Sequence, residues 1–180
     1  MLHFRPSASP LARLIPLLAI LAMACAGCSA KLSAAHLQLK PWEDGGSQKL
    51  YAKFMHFDFK TQPHEGGFEV TGTAWPIKEN IPPWADSVDN LSINAYLCNE
   101  HGDVLVSSTK NYPAQKIPAS GFPFQFVLKH VERPSGGFYV SFGYGGMFTA
   151  SKPPTAGGQG SGGIAGNYVF YVSEQAALKK

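Results

Sequence analysis

The chain of 180 residues carries six histidines, three cysteines and twelve Asp and Glu together, and their spacing decides what chemistry they can do. His36, His56, His64, His101 and His130 are dispersed along the body of the chain. None stands in an HExxH frame or beside paired cysteines, the spacings that gather metal ligands from one segment. His56 and Asp58 share one parity of a strand-like run, where such a pair forms a surface hydrogen bond. Glu43-Asp44 and the pair Asp86 and Asp89 fall in turn-rich sequence, which leaves the carboxylates solvated. Gly158 to Gly163 fits G-x-G-x-x-G, but no strand precedes it and no helix follows to offer its N-terminus to a phosphate. Ser161 lacks the G-x-S-x-G elbow of a hydrolase. The expectation is therefore a protein without catalytic residues, metal or cofactor. What remains is binding. Trp42, Trp75, Trp84, Tyr96, Tyr139 and Tyr171 fall in loops or at the outward parity of strands. They either form a partner-binding face or pack beneath loops. Tyr96, Trp84 and Trp75 are the candidates for partner binding.

Cys28 offers a different chemistry. It ends the run Leu14 to Cys28, LIPLLAILAMACAGC, which follows Arg5 and Arg13 with no acidic residue before it. A basic flank, a short apolar run and a small-residue site make a secretory leader. The run is short for a spanning helix. Ala26-Gly27-Cys28 resembles the lipobox of bacterial lipoproteins, although Cys25 stands where that pattern usually has leucine. A second cut, after Ala22-Met23-Ala24, and an ordinary secretory leader are the alternatives. The resemblance implies that Cys28 is acylated (palmitate among the chains) and becomes the N-terminus. Ser29 behind it fits sorting to the outer membrane, on its periplasmic face. Residues 1–27 are then leader, 28–48 a lipidated N-terminus and tether, and 49–180 a folded domain with a glycine-rich loop at 151–166. Losing Arg5 and Arg13 lowers the net charge from +3 to +1. A near-neutral domain has no basic block for nucleic acid or anionic lipid, so the membrane is met through acyl chains. Cys98 is left without a disulfide partner and reads as a small buried apolar residue.

The elements behind these residues are strands. Asn90 to Cys98 alternates Leu91, Ile93, Ala95 and Leu97 with Ser92, Asn94, Tyr96 and Cys98, which predicts a half-buried strand with Tyr96 on its wet face. Val104 to Ser108 returns as its hairpin partner. Phe122 to Lys129 aligns Phe122, Phe124, Phe126 and Leu128, and Phe138, Val140, Phe142 and Tyr144 line the next strand until Gly145-Gly146 breaks it, with Met147 to Ala150 as a candidate continuation. Lys49 to Lys60 is one strand whose apolar face switches partway, by a bulge or by burial on both sides. Gly66-Gly67 opens a hairpin into Gly67 to Trp75, with Phe68, Val70 and Ala74 facing in and Glu69, Thr71 and Thr73 out. Pro82-Pro83 makes Pro76 to Asp89 a connection, anchored by Trp84. Ser151 to Gly166 is low-complexity loop, Asn167 to Ser173 the last strand and Glu174 to Lys180 a polar tail. About seven or eight short strands without an amphipathic helix predict an all-β antiparallel sandwich or distorted barrel.

The order of these pieces resembles a known family. FEVTGTAW, a loop ending IPPWADSVDNLSINAYL, then FPFQFVL and FYVSFGY are similar to the YbaY-like and type III secretion pilotin lipoproteins of the YscW group. The matching positions are Val70 and Gly72; Ile81, Pro82 and Ala85; Ile93, Ala95 and Leu97; Pro123, Phe124 and Phe126; and Tyr139. The likeness covers roughly half of the chain, and the glycine-rich insert departs from it. It implies an acylated β-sandwich at the outer membrane that binds an envelope or secretin-type protein client and performs no catalysis. The alternatives are a structural envelope lipoprotein without a client, and a small-ligand or metal-binding protein.

Overall fold

Alternation is clearest at Phe122–Lys129, where Phe122, Phe124, Phe126 and Leu128 are buried and every second residue is exposed. Such a strand needs a second apolar layer to cover it, and the chain supplies one. The computed structural model describes residues 31–151 and 168–179. The leader, Cys28 and the expected mobile stretch Gly157 to Gly166 lie outside the described residues. All strands described are antiparallel and form three sheets. β3 (Ser47–Tyr51), β4 (Met55–His64), β5 (Gly67–Pro76) and β9 (Phe122–Lys129) make the first, in the order β3-β4-β5-β9. The second is built on β11 (Val169–Glu174), β10 (Tyr139–Thr149), β6 (Ser87–Cys98) and β7 (Val104–Tyr112), in the order β11-β10-β6-β7. β2 (Lys40–Pro41) adds to β10, and β8 (Gln115–Lys116) to β6. β1 (Leu32–Ser33) and β12 (Ala177–Leu178) pair as a small third sheet. The expected all-β sandwich is the fold, and it does not close into a barrel. Eight of the strands are five residues or longer.

The core lies between the two large sheets. Leu91, Ile93, Ala95 and Leu97 from β6 and Val140, Phe142 and Tyr144 from β10 meet Phe57 and Phe59 of β4 and Phe124 and Phe126 of β9. Phe57 stacks on Phe142 with ring centroids 4.6 Å apart, and Phe124 lies 5.2 Å from Phe142. Gly72 sits opposite Phe59 and Phe124 in the register, and a Cβ there would stand 2.8 Å from the Phe124 ring. The V-x-G spacing thus makes room for an aromatic from the neighbouring strand. Tyr144 ties the layers together with polar atoms. Its hydroxyl donates to Glu174 Oε2 (2.9 Å) and accepts from the Phe54 amide (3.0 Å).

Four expectations need correction. Lys49 to Lys60 is not one strand. The chain turns at Ala52 to Met55, closed by Ala52 N–H donating to Met55 O (2.8 Å), and returns as β4. A reversal also swaps the apolar parity, so the bulge reading mistook a hairpin for an irregularity. Secondly, residues 32–48 are not free tether. The compact unit begins at Lys31, and Ala34 and Leu37 are buried. The strand expected around His36 to Lys40 is reduced to β2. Thirdly, Glu174 to Lys180 is not a loose tail, because β12 pairs with β1 and Lys179 N donates to Lys31 O (2.8 Å). Fourthly, β10 runs through Gly145-Gly146. The register against β6 shifts there, with Asn90 and Leu91 opposing Gly146 alone.

Candidate functional site

The three aromatic candidates do not share a surface. Tyr96 is the clearest correction. It does point away from the main core, but it is only 5% exposed. The segment Lys31 to Pro41 crosses the outer face of the second sheet and covers it. Ala34, Leu37, Tyr96 and Cys98 form a second apolar cluster, flanked by Leu39, Tyr139 and Ala176. The Tyr96 hydroxyl accepts from Ala176 N–H (3.3 Å), and burial raises its pKa. Parity named the correct face; the strap over that face is non-local and left no periodic signal. Cys98 is fully buried in the same cluster, and burial pushes its thiol up to about 12. That thiol is a packing group, not a nucleophile at neutral pH.

Trp84 is half-buried at the edge of Tyr168, centroids 5.3 Å apart. Nearby, Asp86 accepts from the Ser151 amide (2.7 Å) and the Ser151 and Ser87 hydroxyls, and these bonds lower its pKa. Trp84 and Asp86 thus hold Tyr168 and Ser151, the described residues on either side of the glycine-rich insert. Trp75 lies on the outer face of the first sheet, half-buried in a row with His56 and Tyr51. The rings stand nearly parallel, 11° between His56 and Trp75 and 28° between Tyr51 and His56, so each covers its neighbour's face. Gly121 closes the other side of Trp75, where a Cβ would stand 2.8 Å from the indole.

Further along that face, Glu69 points outward as its parity predicts, yet it is only 6% exposed. It lies across the sheet from Gln62 and beside Gln125, and both side-chain amides donate to it. The Gln125 and then the Gln62 hydrogen bond hold its pKa below the usual value. Both of its oxygens are used in joining three strands. Among the described residues no cluster of three or more His, Cys, Asp or Glu could hold a metal ion.

An open concave surface lies on the second sheet, beyond the strap. A shallow groove of about 500 Å³ runs over β6, β10 and β11. Its floor is Gly145-Gly146 at the bulge. Register puts Met147 opposite Tyr171, and Ser92 and Ser173 on either side of Gly145. Asn90 enters from the bulge with φ +51°, a left-handed conformation that asparagine tolerates better than most residues. Gly146 is required at this point, because a Cβ there would stand 2.9 Å from Leu91 Cα. Gln175 folds back over the floor: a Cβ on Gly145 would stand 2.5 Å from its Nε2. Tyr171, 74% exposed, forms one wall. Tyr171 was among the outward aromatics read from the sequence, whereas Asn90, Ser92 and Gln175 were not singled out. Their signal was the Gly145-Gly146 pair inside a strand pattern, a mark of a bulge or of close approach. Reading the pair as a break concealed it. No protein-family model, curated protein or solved structure matches this chain.

Proposed function

We propose that this chain is a lipid-anchored, non-enzymatic binding or assembly module of the cell envelope. Acyl chains on Cys28 hold it on the periplasmic face of the outer membrane, where it takes an envelope protein as client. The Ala26-Gly27-Cys28 sequence supports the anchor, and the pilotin-like order of strands supports the client. The observation that carries the reading is the placement of entry and groove on one sheet. The chain leading from Cys28 enters beside the β6–β7 turn, where Ser33 bridges to Asp103 and Ala34 N–H donates to Gly102 O (2.7 Å). The groove opens at the far end of the same β6, at Asn90 and Ser92. Strand rise makes that separation about 25 Å. Only Ser29 and Ala30 stand between Cys28 and the compact unit at Lys31. Anchoring there keeps one end of the domain near the bilayer and leaves the rest of its surface to the client. Each buried acyl methylene contributes about 0.8 kcal/mol, so multiple chains make the attachment durable.

Two measurements test this. Intact mass of the wild-type protein should carry acyl chains that Cys28→Ser lacks; an unacylated wild type ends the anchor half. Capture from detergent-solubilised envelope should return one stoichiometric partner. Repeated captures without one favour the structural lipoprotein instead.

A further inference from the structure

We propose that the groove over β6, β10 and β11 is a binding site for a neutral saccharide. The inference goes beyond the anchored-module reading and does not need the acyl anchor, since every residue it uses lies in the folded domain. Charge comes first. None of the nine described residues lining the groove is acidic or basic. Two carboxylates flank it without entering the lining: Asp89, opposite Met147 at the rim, and Glu174, between Ser173 and Gln175 but bonded to the Lys53 amide and the Tyr144 hydroxyl. A charged ligand would find no counter-ion there and would lose hydration on entry.

Hydrogen-bonding character comes second. Asn90 and Gln175 each present an amide that both donates and accepts, and Ser92 and Ser173 present hydroxyls. A sugar ring needs that combination, because adjacent hydroxyls each donate and accept within one plane. Asn90 has no hydrogen bond through its side chain among the described residues, while Ser92 Oγ reaches only Gly145 O, at 3.2 Å.

Shape comes third. Tyr171 is the most exposed large hydrophobic residue described. No aromatic ring stacks on it among the described residues, in contrast to the mutually covered row of Tyr51, His56 and Trp75. An open ring face beside a polar floor suits the apolar C–H face of a pyranose. About 500 Å³ falls within the usual range for small-ligand sites. An extended peptide would use sheet edges as well. The free edge beside the groove is β11, the outermost strand of its sheet, so a peptide strand is the occupant that the test must separate from a saccharide. The uncharged amide and hydroxyl lining and the open face of Tyr171 are the grounds for the saccharide.

The test uses the full chain in a zwitterionic detergent without a sugar headgroup. Titration calorimetry and saturation-transfer NMR are run with maltotriose, with the trimer of N-acetylglucosamine and with trigalacturonate, alongside an uncharged extended peptide. Saturable binding of at least one neutral trisaccharide, with trigalacturonate weaker, is expected. Tyr171→Ala should weaken it about tenfold or more. Asn90→Gly should do the same while relieving the left-handed backbone, so its fold is secure. Tyr51→Ala, which removes a tyrosine ring from the other sheet, should leave binding unchanged. No saturable binding of either neutral sugar, equal binding of trigalacturonate, unchanged affinity in Tyr171→Ala, or binding of the peptide alone would each overturn the proposal.

Discussion

Tyr96 is where the strap, the second sheet and the C-terminal strand meet. Its ring packs over Gly143, where a Cβ would stand 2.9 Å from the Tyr96 hydroxyl oxygen. Its edge faces Ala34 and Leu37. Tyr96→Ala should therefore destabilise the domain by about 3–5 kcal/mol, as removal of a buried ring does. Tyr96→Phe loses only the bond from Ala176 and should cost about 0.5–1.5 kcal/mol. Urea melts of the pair check this; equal midpoints for Tyr96→Ala and wild type would mean that the strap is not seated. Cys98 beneath it reports on the same closure. With its thiol held near 12, the unfolded state ionises first as pH rises above about 8.5. Stability should then fall between that value and about 12, because the folded state alone retains the proton. Native Cys98 should resist a thiol reagent at pH 8, read by site-resolved mass spectrometry, and react on unfolding. Rapid native labelling would contradict the buried cluster.

Elements differ in how much of their placement a local pattern can reveal. β9 is legible because one face is core and the other water, so burial follows a period of two without interruption. Phe126→Ala should accordingly cost about 3–5 kcal/mol in a denaturant melt, and a midpoint close to wild type would remove Phe126 from the core. β6 was legible on its inner face for the same reason. Its outer face was not, because the strap that buries Tyr96 begins more than fifty positions away. β3 and β4 were merged because Tyr51-Ala52-Lys53-Phe54 contains no glycine or proline to mark a turn. β1 and β12 are two residues each, too short for any periodicity, and are defined by pairing with each other. The groove combines both difficulties: a bulge hidden in a glycine pair, and Gln175 brought over it from beyond the last long strand. The strap's dependence on β12 is testable. Ending the chain after Gln175 removes Ala176 and β12 and unpairs β1. Cys98 should then become labelled in the native protein, while the transition of the main core moves less than in Phe126→Ala. If Cys98 stays protected, the strap is held by Leu37 and β2 and does not need β12.

Among the described residues, three carboxylates of lowered pKa join parts of the chain that are remote in sequence. Glu69 links β4, β5 and β9. Asp86 fastens Ser151 beside the loop before β6. Asp103 receives Lys179 at 2.5 Å and Asn99 at 3.2 Å, holding the C-terminal end against the β6–β7 turn. Each pKa is lowered: by Gln125 and Gln62 for Glu69, by the Ser151 hydroxyl for Asp86, and by Lys179 and then Asn99 for Asp103. When the folded pKa is the lower one, the unfolded chain binds more protons between the two values. The stabilisation is then complete above the ordinary carboxylate range near 4 and is lost as pH falls through the lowered values. The melting temperature should stay level from neutral pH to about 5 and drop below about 4. Added salt should weaken the Asp103 part, an exposed ion pair, more than the amide and hydroxyl bonds of Glu69 and Asp86. Melts from pH 2 to 7 on wild type, Glu69→Gln, Asp86→Asn and Asp103→Asn decide whether these three groups are responsible. Each variant should lower the neutral melting temperature and flatten the acid limb. Should all three keep the wild-type slope, acid sensitivity arises elsewhere and these carboxylates are surface contacts that folding does not use.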